Sequence, residues 1–236
     1  MSARGAEIAP LIDHTLLKPD ASRDAVQALC NEAVHYKFMS VCVNPVMVTV
    51  AAEILSGTGI KTCTTIGFPL GATTTDTKRF ESERAIRDGA QELDMVLCIS
   101  ALKDKDFRYV NNDIAAVVKV AESKIVKVII ETCLLSNEEK RNACTIARDA
   151  GASFVKTSTG MSGGGATCED IRLMRQVVGK DFGVKASGGI KTLACTLDLI
   201  AAGANRIGTS SGVNIVTASR PQPADFASSG QSRPRR

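Results

Sequence analysis

Short apolar, β-branched runs alternate along the chain with longer stretches whose apolar positions recur every three or four residues. The short runs predict strands at 11–14, 40–44, 61–67, 92–99, 125–132, 153–159, 183–187 and 206–210. The longer stretches predict helices near 22–37, 45–56, 77–90, 109–122, 136–150, 167–179 and 191–203. Ser136 with Glu139 reads as a capping box, and Thr167 ahead of Glu169 and Asp170 suits a helix start. Three helices end in Asp-Gly-Ala (88–90) or Ala-Gly-Ala (150–152 and 202–204), each shortly before a strand. Glycine there supplies the left-handed turn that returns the chain to a sheet. Eight strands alternating with helices predict an α/β fold, a single closed (β/α)8 TIM barrel rather than an open doubly wound sheet. This domain spans 1–218. Residues 219–236, rich in Ser, Pro, Arg and Gln, read as a disordered basic tail.

Strand side chains alternate between faces, and the face under the helices must be apolar. In 92–99 the outward set is Leu93, Met95, Leu97 and Ile99, which turns Glu92, Asp94, Val96 and Cys98 inward. The same count turns Lys127 and Glu131 inward from 125–132, Phe154, Lys156 and Ser158 from 153–159, and Lys185 and Ser187 from 183–187. Cys42 and Asn44 fall on the inner face of their strand. Five ionisable groups, Asp94, Lys127, Glu131, Lys156 and Lys185, thus converge where branched aliphatics normally fill the barrel.

One reading of this cluster is a structural ion-pair network, such as Asp94 with Lys127. Three lysines against two carboxylates favour chemistry instead, because a purely structural network tends towards neutrality. An ordinary lysine, with a pKa of about 10.4, is only about 0.1% neutral near pH 7.4. A second ammonium on the next strand, together with burial, disfavours the charged form and yields an amine nucleophile. Lys156 and Lys185 are such a pair, which points to Schiff-base chemistry with Asp94 shuttling protons. Glycine-rich segments follow the last three strands: Gly160 to Gly165, Ser187-Gly188-Gly189 and Gly208 to Gly212. Each alone reads as a tight turn; all three together suit an anion cradle after strands 7 and 8. His14 and His35 read as structural, and the cysteines as small buried hydrophobes.

Composition narrows the field. The 44% hydrophobic and 23% charged residues fit a folded domain. Of the net charge of +4, the tail supplies +3 through Arg220, Arg233, Arg235 and Arg236 against Asp225, so the body is nearly neutral. That removes the main support for a nucleic-acid partner, and 4% aromatics with no Trp remove stacking platforms. The eight cysteines are scattered singly, without C-x-x-C, and only two histidines accompany them, so zinc-ligand spacing is absent. No run of about 18 apolar residues predicts a membrane span, and no secretory signal pattern opens the chain. Reduced thiols in a cytoplasmic compartment are the expectation.

With these residues in view the sequence resembles the deoxyribose-phosphate aldolases, a family of metal-independent class I aldolases. The likeness runs through LIDHTLLKP (11–19), VCVNP (41–45), IGFPLGATTTDTK (66–78), ELDMVLCISALK (92–103), VKVIIET (126–132), FVKTSTG (154–160), GVKASGG (183–189) and RIGTSSG (206–212). The resemblance implies a TIM barrel that reversibly cleaves the sugar phosphate 2-deoxy-D-ribose 5-phosphate to D-glyceraldehyde 3-phosphate and acetaldehyde, with no metal or cofactor. It implies that Lys156 forms the Schiff base, that Lys185 is the second lysine, that Asp94 donates and accepts protons through a bound water, and that Lys127 pairs with Asp94. It assigns substrate binding to Cys42, Thr159, Gly160, Gly188, Gly189, Gly208, Ser210 and Ser211. One departure is LCISALK (97–103), where Cys98 and Ser100 are expected to alter the pocket rim. Barrels of this kind commonly associate as homo-oligomers, but no interface is legible in the sequence. Another Schiff-base barrel enzyme, an idle sugar-phosphate binder on the same barrel and a scaffold acting through the basic tail are the alternatives.

Overall fold

Each strand pairs in parallel with the next, and the eighth returns to the first, closing a barrel in the order β1 to β8. The computed structural model describes residue 1 and residues 3–218. Its strands are β1 (Ile12–Leu16), β2 (Ser40–Val43), β3 (Lys61–Ile66), β4 (Glu92–Val96), β5 (Ile125–Ile129), β6 (Phe154–Lys156), β7 (Gly183–Ser187) and β8 (Arg206–Thr209). The helices are α1 (Ala3–Ile8), α2 (Arg23–Tyr36), α3 (Val48–Leu55), α4 (Thr75–Arg87), α5 (Ile99–Lys103), α6 (Phe107–Ala121), α7 (Asn137–Asp149), α8 (Cys168–Val178), α9 (Leu193–Ala201) and α10 (Gly212–Thr217). The predicted (β/α)8 barrel is therefore the fold. The basic tail expected at 219–236 lies outside the described residues. No helix among the described residues is long and apolar enough to cross a membrane.

The core lies between the strands and the helix ring. Val41, Leu93, Met95, Val126, Val128, Val155, Val184 and Ile207 turn outward, fully or almost fully buried, against Ile114, Val117, Ala147 and Met174 of the helices. Each such aliphatic contributes about 1.5–3 kcal/mol on burial, so the wall is held by its outer face and the inner face is left for other work. Helix ends follow the sequence signals. Ser136 and Glu139 form both bonds of the capping box, and the Thr167 side chain accepts from the Asp170 N–H. Gly151 and Gly203 take φ of +88° and +117° at the turns after α7 and α9.

Three strands are shorter than predicted by three or four residues. β4 stops at Val96, and the apolar run continues as α5, whose Leu102 is buried in the helix layer. Periodicity cannot separate a short buried helix from a strand. β5 stops at Ile129, and Glu131 adopts φ +51° instead of continuing the pleat. β6 is only three residues long. α1 and α10, both short, were not predicted; they pack on each other.

Candidate active site

Seven charged side chains from six strands fill the barrel interior: Asp13 (β1), Glu92 and Asp94 (β4), Lys127 (β5), Lys156 (β6), Lys185 (β7) and Arg206 (β8). Asp94 stands at their centre. Its Oδ1 accepts from Lys127 Nζ at 2.7 Å, and its Oδ2 accepts from both Lys156 Nζ at 2.8 Å and Lys185 Nζ at 2.7 Å. Lys185 Nζ also lies 2.5 Å from Asp13 Oδ2. Lys127 Nζ lies 2.6 Å from Glu92 Oε2, and Arg206 donates to both Glu92 oxygens at 2.6 and 2.8 Å. Ser40 Oγ donates to Asp13 Oδ1 at 2.6 Å.

The lysine pair expected from the sequence is thus not a bare like-charge pair, because a carboxylate oxygen sits between the two ammonium groups. The balance is four cations to three carboxylates: Asp13, Glu92 and Arg206 join the cluster and Glu131 leaves it, so an excess of one positive charge remains. Burial alone would push the Asp94 carboxyl up, but Lys127, Lys156 and Lys185 overcome it and hold it well below the usual carboxylate range. Asp13 is held low in the same way, against burial, by Lys185, Lys127 and Arg206. Burial works against the Lys185 ammonium, yet Asp13 and Asp94 raise it above the ordinary lysine value. Lys127 is raised well above it, mainly by Asp94.

These shifts set a pH window for stability. Carboxyls with depressed values stabilise the fold fully above their unfolded pKa of about 3.9, and lose that contribution as pH falls below it. Ammonium groups with raised values stabilise fully below about 10.4 and lose that contribution as pH rises through their folded values. Urea midpoints should therefore be nearly flat from about pH 5 to 9 and drop on either side. A midpoint that climbs steadily from pH 5 to 9 would contradict this network.

The three inner lysines differ in their surroundings. Lys127 faces three carboxylates and Lys185 two, whereas Lys156 meets only the shared Asp94 oxygen. Lys156 alone of the three lines a cavity of about 220 Å³ at the C-terminal mouth of the barrel. Thr159, Gly160, Gly188, Gly189, Gly208 and Ser210 line it too, beside Thr15, Leu17, Lys18, Met161 and Lys191. The β6 and β7 loops are brought together by close backbone approach: a Cβ on Gly165 would fall 2.3 Å from the Gly188 carbonyl oxygen. Gly188 and Gly189 both take positive φ, +87° and +76°. Ser211 stands beside this wall, its N–H donating to Thr209 Oγ1. Cys42 does not reach the cavity; it is fully buried beside Leu17 and Cys63. Cys98 and Ser100 border a separate hollow with Thr73, Asp104 and Tyr109 and do not line the cavity that holds Lys156.

Glu131 is not part of the charged cluster, contrary to the alternation count. Its left-handed turn swings the carboxylate to the β6 loop, where it accepts from Thr159 N–H, from Thr159 Oγ1 and from Ser162 Oγ. It is a bracket for the loop that carries Gly160. Asp13, Glu92 and Arg206 were not singled out by sequence reasoning. The alternation did place Glu92 inside, and a charged residue opening or interrupting a β-branched run was the signal for the other two. His14, expected to be structural, points outward, bonded to Glu32 at 2.7 Å and packed on Phe38.

A family model for DeoC/LacD family aldolases matches residues 8–218. A deoxyribose-phosphate aldolase of Thermococcus kodakarensis is 59% identical over 214 residues, covering 89% of this chain and 96% of its own. One of Clostridium tetani is 56% identical over 215 residues, covering 91% and 100%. Among solved structures, the tetrameric deoxyribose phosphate aldolase of Aeropyrum pernix superposes with a TM-score of 0.85 at 33% identity, covering 92% of this chain and 97% of that one. With an eight-stranded barrel, lysines converging on one carboxylate and a match through nearly its whole described length, the chain belongs to the DeoC/LacD family of aldolases and is a carbon–carbon lyase.

Proposed function

We propose that the chain cleaves 2-deoxy-D-ribose 5-phosphate reversibly to D-glyceraldehyde 3-phosphate and acetaldehyde, through a Schiff base on Lys156. The observation that carries this reading is that Lys156 alone among the inner lysines combines access to the ligand cavity with a single carboxylate contact. The attacking amine must be neutral, and the proton it sheds has one carboxylate oxygen in reach, Asp94 Oδ2. Attack on the open-chain aldehyde and loss of water give an iminium at C1. Removal of the C3 hydroxyl proton then breaks the C2–C3 bond, with the electron pair drawn into the iminium as an enamine. Protonation at C2 and hydrolysis release acetaldehyde and return the lysine.

The opposite protonation states of two neighbours suit this sequence. Asp94 starts ionised and serves as proton acceptor; Lys185 starts as an ammonium and serves as donor when the carbinolamine hydroxyl leaves as water. Lys127 holds Asp94 from its other oxygen. The glycine-rich wall, with Thr159, Gly160, Gly188, Gly189, Gly208, Ser210 and Ser211, takes the C5 phosphate, so that binding at the far end orients the reacting carbons. Cys42 packs with Leu17, which lines the cavity, and does not line it itself. Incubation with acetaldehyde and borohydride, followed by peptide mass mapping, tests the assignment. A reduced two-carbon adduct on Lys156 supports it, an adduct on Lys185 exchanges the two roles, and no adduct on folded protein refutes the aldolase mechanism.

Eight free thiols support a reducing, cytoplasmic setting. We infer further that the protein is a homo-oligomer. An apolar hollow of about 680 Å³ beside α4 is bordered by Val46, Leu70 and Phe80, which are 82%, 72% and 61% exposed. Such a patch marks an interaction surface, and the tetrameric Aeropyrum relative makes a second copy its natural occupant. Phe80→Glu should lower the mass measured by light scattering. A wild type that is already monomeric would refute the inference.

A further inference from the structure

Cys42 on β2 and Cys63 on β3 are register partners, both facing inward and fully buried. Their sulfurs and an Asp94 carboxylate oxygen all lie within 4.8 Å of one another. Cys63 Sγ is 3.3 Å from Asp94 Oδ1 and 3.4 Å from Lys127 Nζ. With Leu17 and Phe68 the two thiols form a small apolar plug separate from the main core. Leu17 also lines the ligand cavity, as does Thr15, the register partner of Cys42. One layer of side chains therefore separates the thiols from the space where substrate enters.

Directly paired strands lie about 4.8 Å apart, inside the range of about 4.4–6.8 Å that disulfides span between α-carbons. The pair can be joined by side-chain rotation without moving the barrel. The two thiols are also unequal. The Cys63 hydrogen bond holds the Cys42 thiol below its ordinary value despite burial, while burial and the same hydrogen bond push Cys63 well up. One sulfur is thus suited to attack as thiolate and the other to resolve. A divalent metal on the same three ligands is the competing occupant. It would have to displace the Lys127 ammonium, which lies 2.7 Å from Asp94 Oδ1.

We propose that Cys42 and Cys63 are a redox modification site, at which a hydroperoxide as small as hydrogen peroxide reversibly switches the enzyme off. The Cys42 thiolate takes one oxygen from the peroxide, breaking its O–O bond and leaving a sulfenic acid and hydroxide. The Cys63 thiol then displaces that oxygen as water and forms the S–S bond. Two thiols are oxidised, one peroxide is reduced, and two waters result once the hydroxide gains the thiol proton. The new bond draws Cys63 Sγ away from Asp94 Oδ1 and Lys127, so the carboxylate that faces Lys156 and Lys185 loses one of its fixed partners.

The loss of turnover rests on the aldolase reading, whereas bond formation is read independently by mass. The full chain is treated with hydrogen peroxide, and retro-aldol turnover is followed beside non-reducing peptide mapping. The expected result is a Cys42–Cys63 linked peptide, two hydrogens lighter than the reduced pair, appearing together with at least about a tenfold loss of turnover. Dithiothreitol should reverse both. In Cys63→Ala, compared with its own untreated activity, the link is absent and dithiothreitol restores less. Should that variant fail to fold, the wild-type course of link against activity decides alone. A link without inactivation, inactivation without the link, or both sulfurs still reduced after all exposed thiols have reacted would overturn the proposal. So would zinc inhibition in a protein whose sulfurs peroxide never joins, which would favour the metal.

Discussion

Lys156→Ala should lose about ten-thousandfold or more in kcat/KM for 2-deoxyribose 5-phosphate, with little change in stability. The expected size follows from the removal of the covalent route itself, since no other inner lysine reaches the cavity. The small stability effect follows from the charge balance. The site carries one cation more than it has carboxylates, so deleting Lys156 leaves three against three and strands no charge. Borohydride trapping should fall in step with turnover. Retention of more than about a hundredth of wild-type turnover would place the nucleophile elsewhere, and an adduct persisting on Lys185 would say where.

Asp94→Asn should be costly in two separable ways. Turnover should fall about a hundredfold to a thousandfold, because the amide neither accepts protons as a carboxylate does nor holds the ammonium groups in register. Stability should fall by about 3–5 kcal/mol, since buried cations lose their common partner. The two losses should respond differently to pH. Without Asp94 a buried ammonium is more easily deprotonated, so the stability deficit relative to wild type should shrink as pH rises from 7 towards 10. Urea midpoints of both proteins across that range test the sign. A deficit that stays constant would mean that the loss arises from packing rather than charge, and wild-type turnover would exclude Asp94 from the chemistry.

The legibility of the site in the sequence divides along physical lines. Lys127, Lys156, Lys185 and Asp94 stand alone among apolar neighbours in strands covered by helices, so simple alternation assigns them to the interior. Asp13 escapes this logic because β1 is polar on both faces: His14, next to it, points outward and is satisfied by Glu32. Glu131 misleads because the apolar run continues past the end of β5, and only the left-handed turn, which no residue type signals there, redirects its carboxylate. α5 is missed for a related reason, since Leu97 to Leu102 is as apolar as a strand. The Cys42–Cys63 pairing is a matter of register between β2 and β3, and register is invisible in a pattern read one strand at a time.

The ring of charges also ties reactivity to completion of the chain. Asp13, which holds the Lys185 ammonium, comes from the first strand, and Arg206, which braces Asp13 and Glu92, comes from the last. Lys185 meets Asp94 across 91 positions of sequence. The β4–β7 arc alone carries the three lysines with Asp94 and Glu92, and the docking of β8 on β1 adds Asp13 and Arg206 to them. Before that closure Lys185 lacks Asp13 and Glu92 lacks Arg206, so the charge set around the nucleophile is incomplete. Ring closure therefore completes the electrostatic frame of the site: docking of the last strand on the first brings in the groups that fix the second lysine and Glu92 in place.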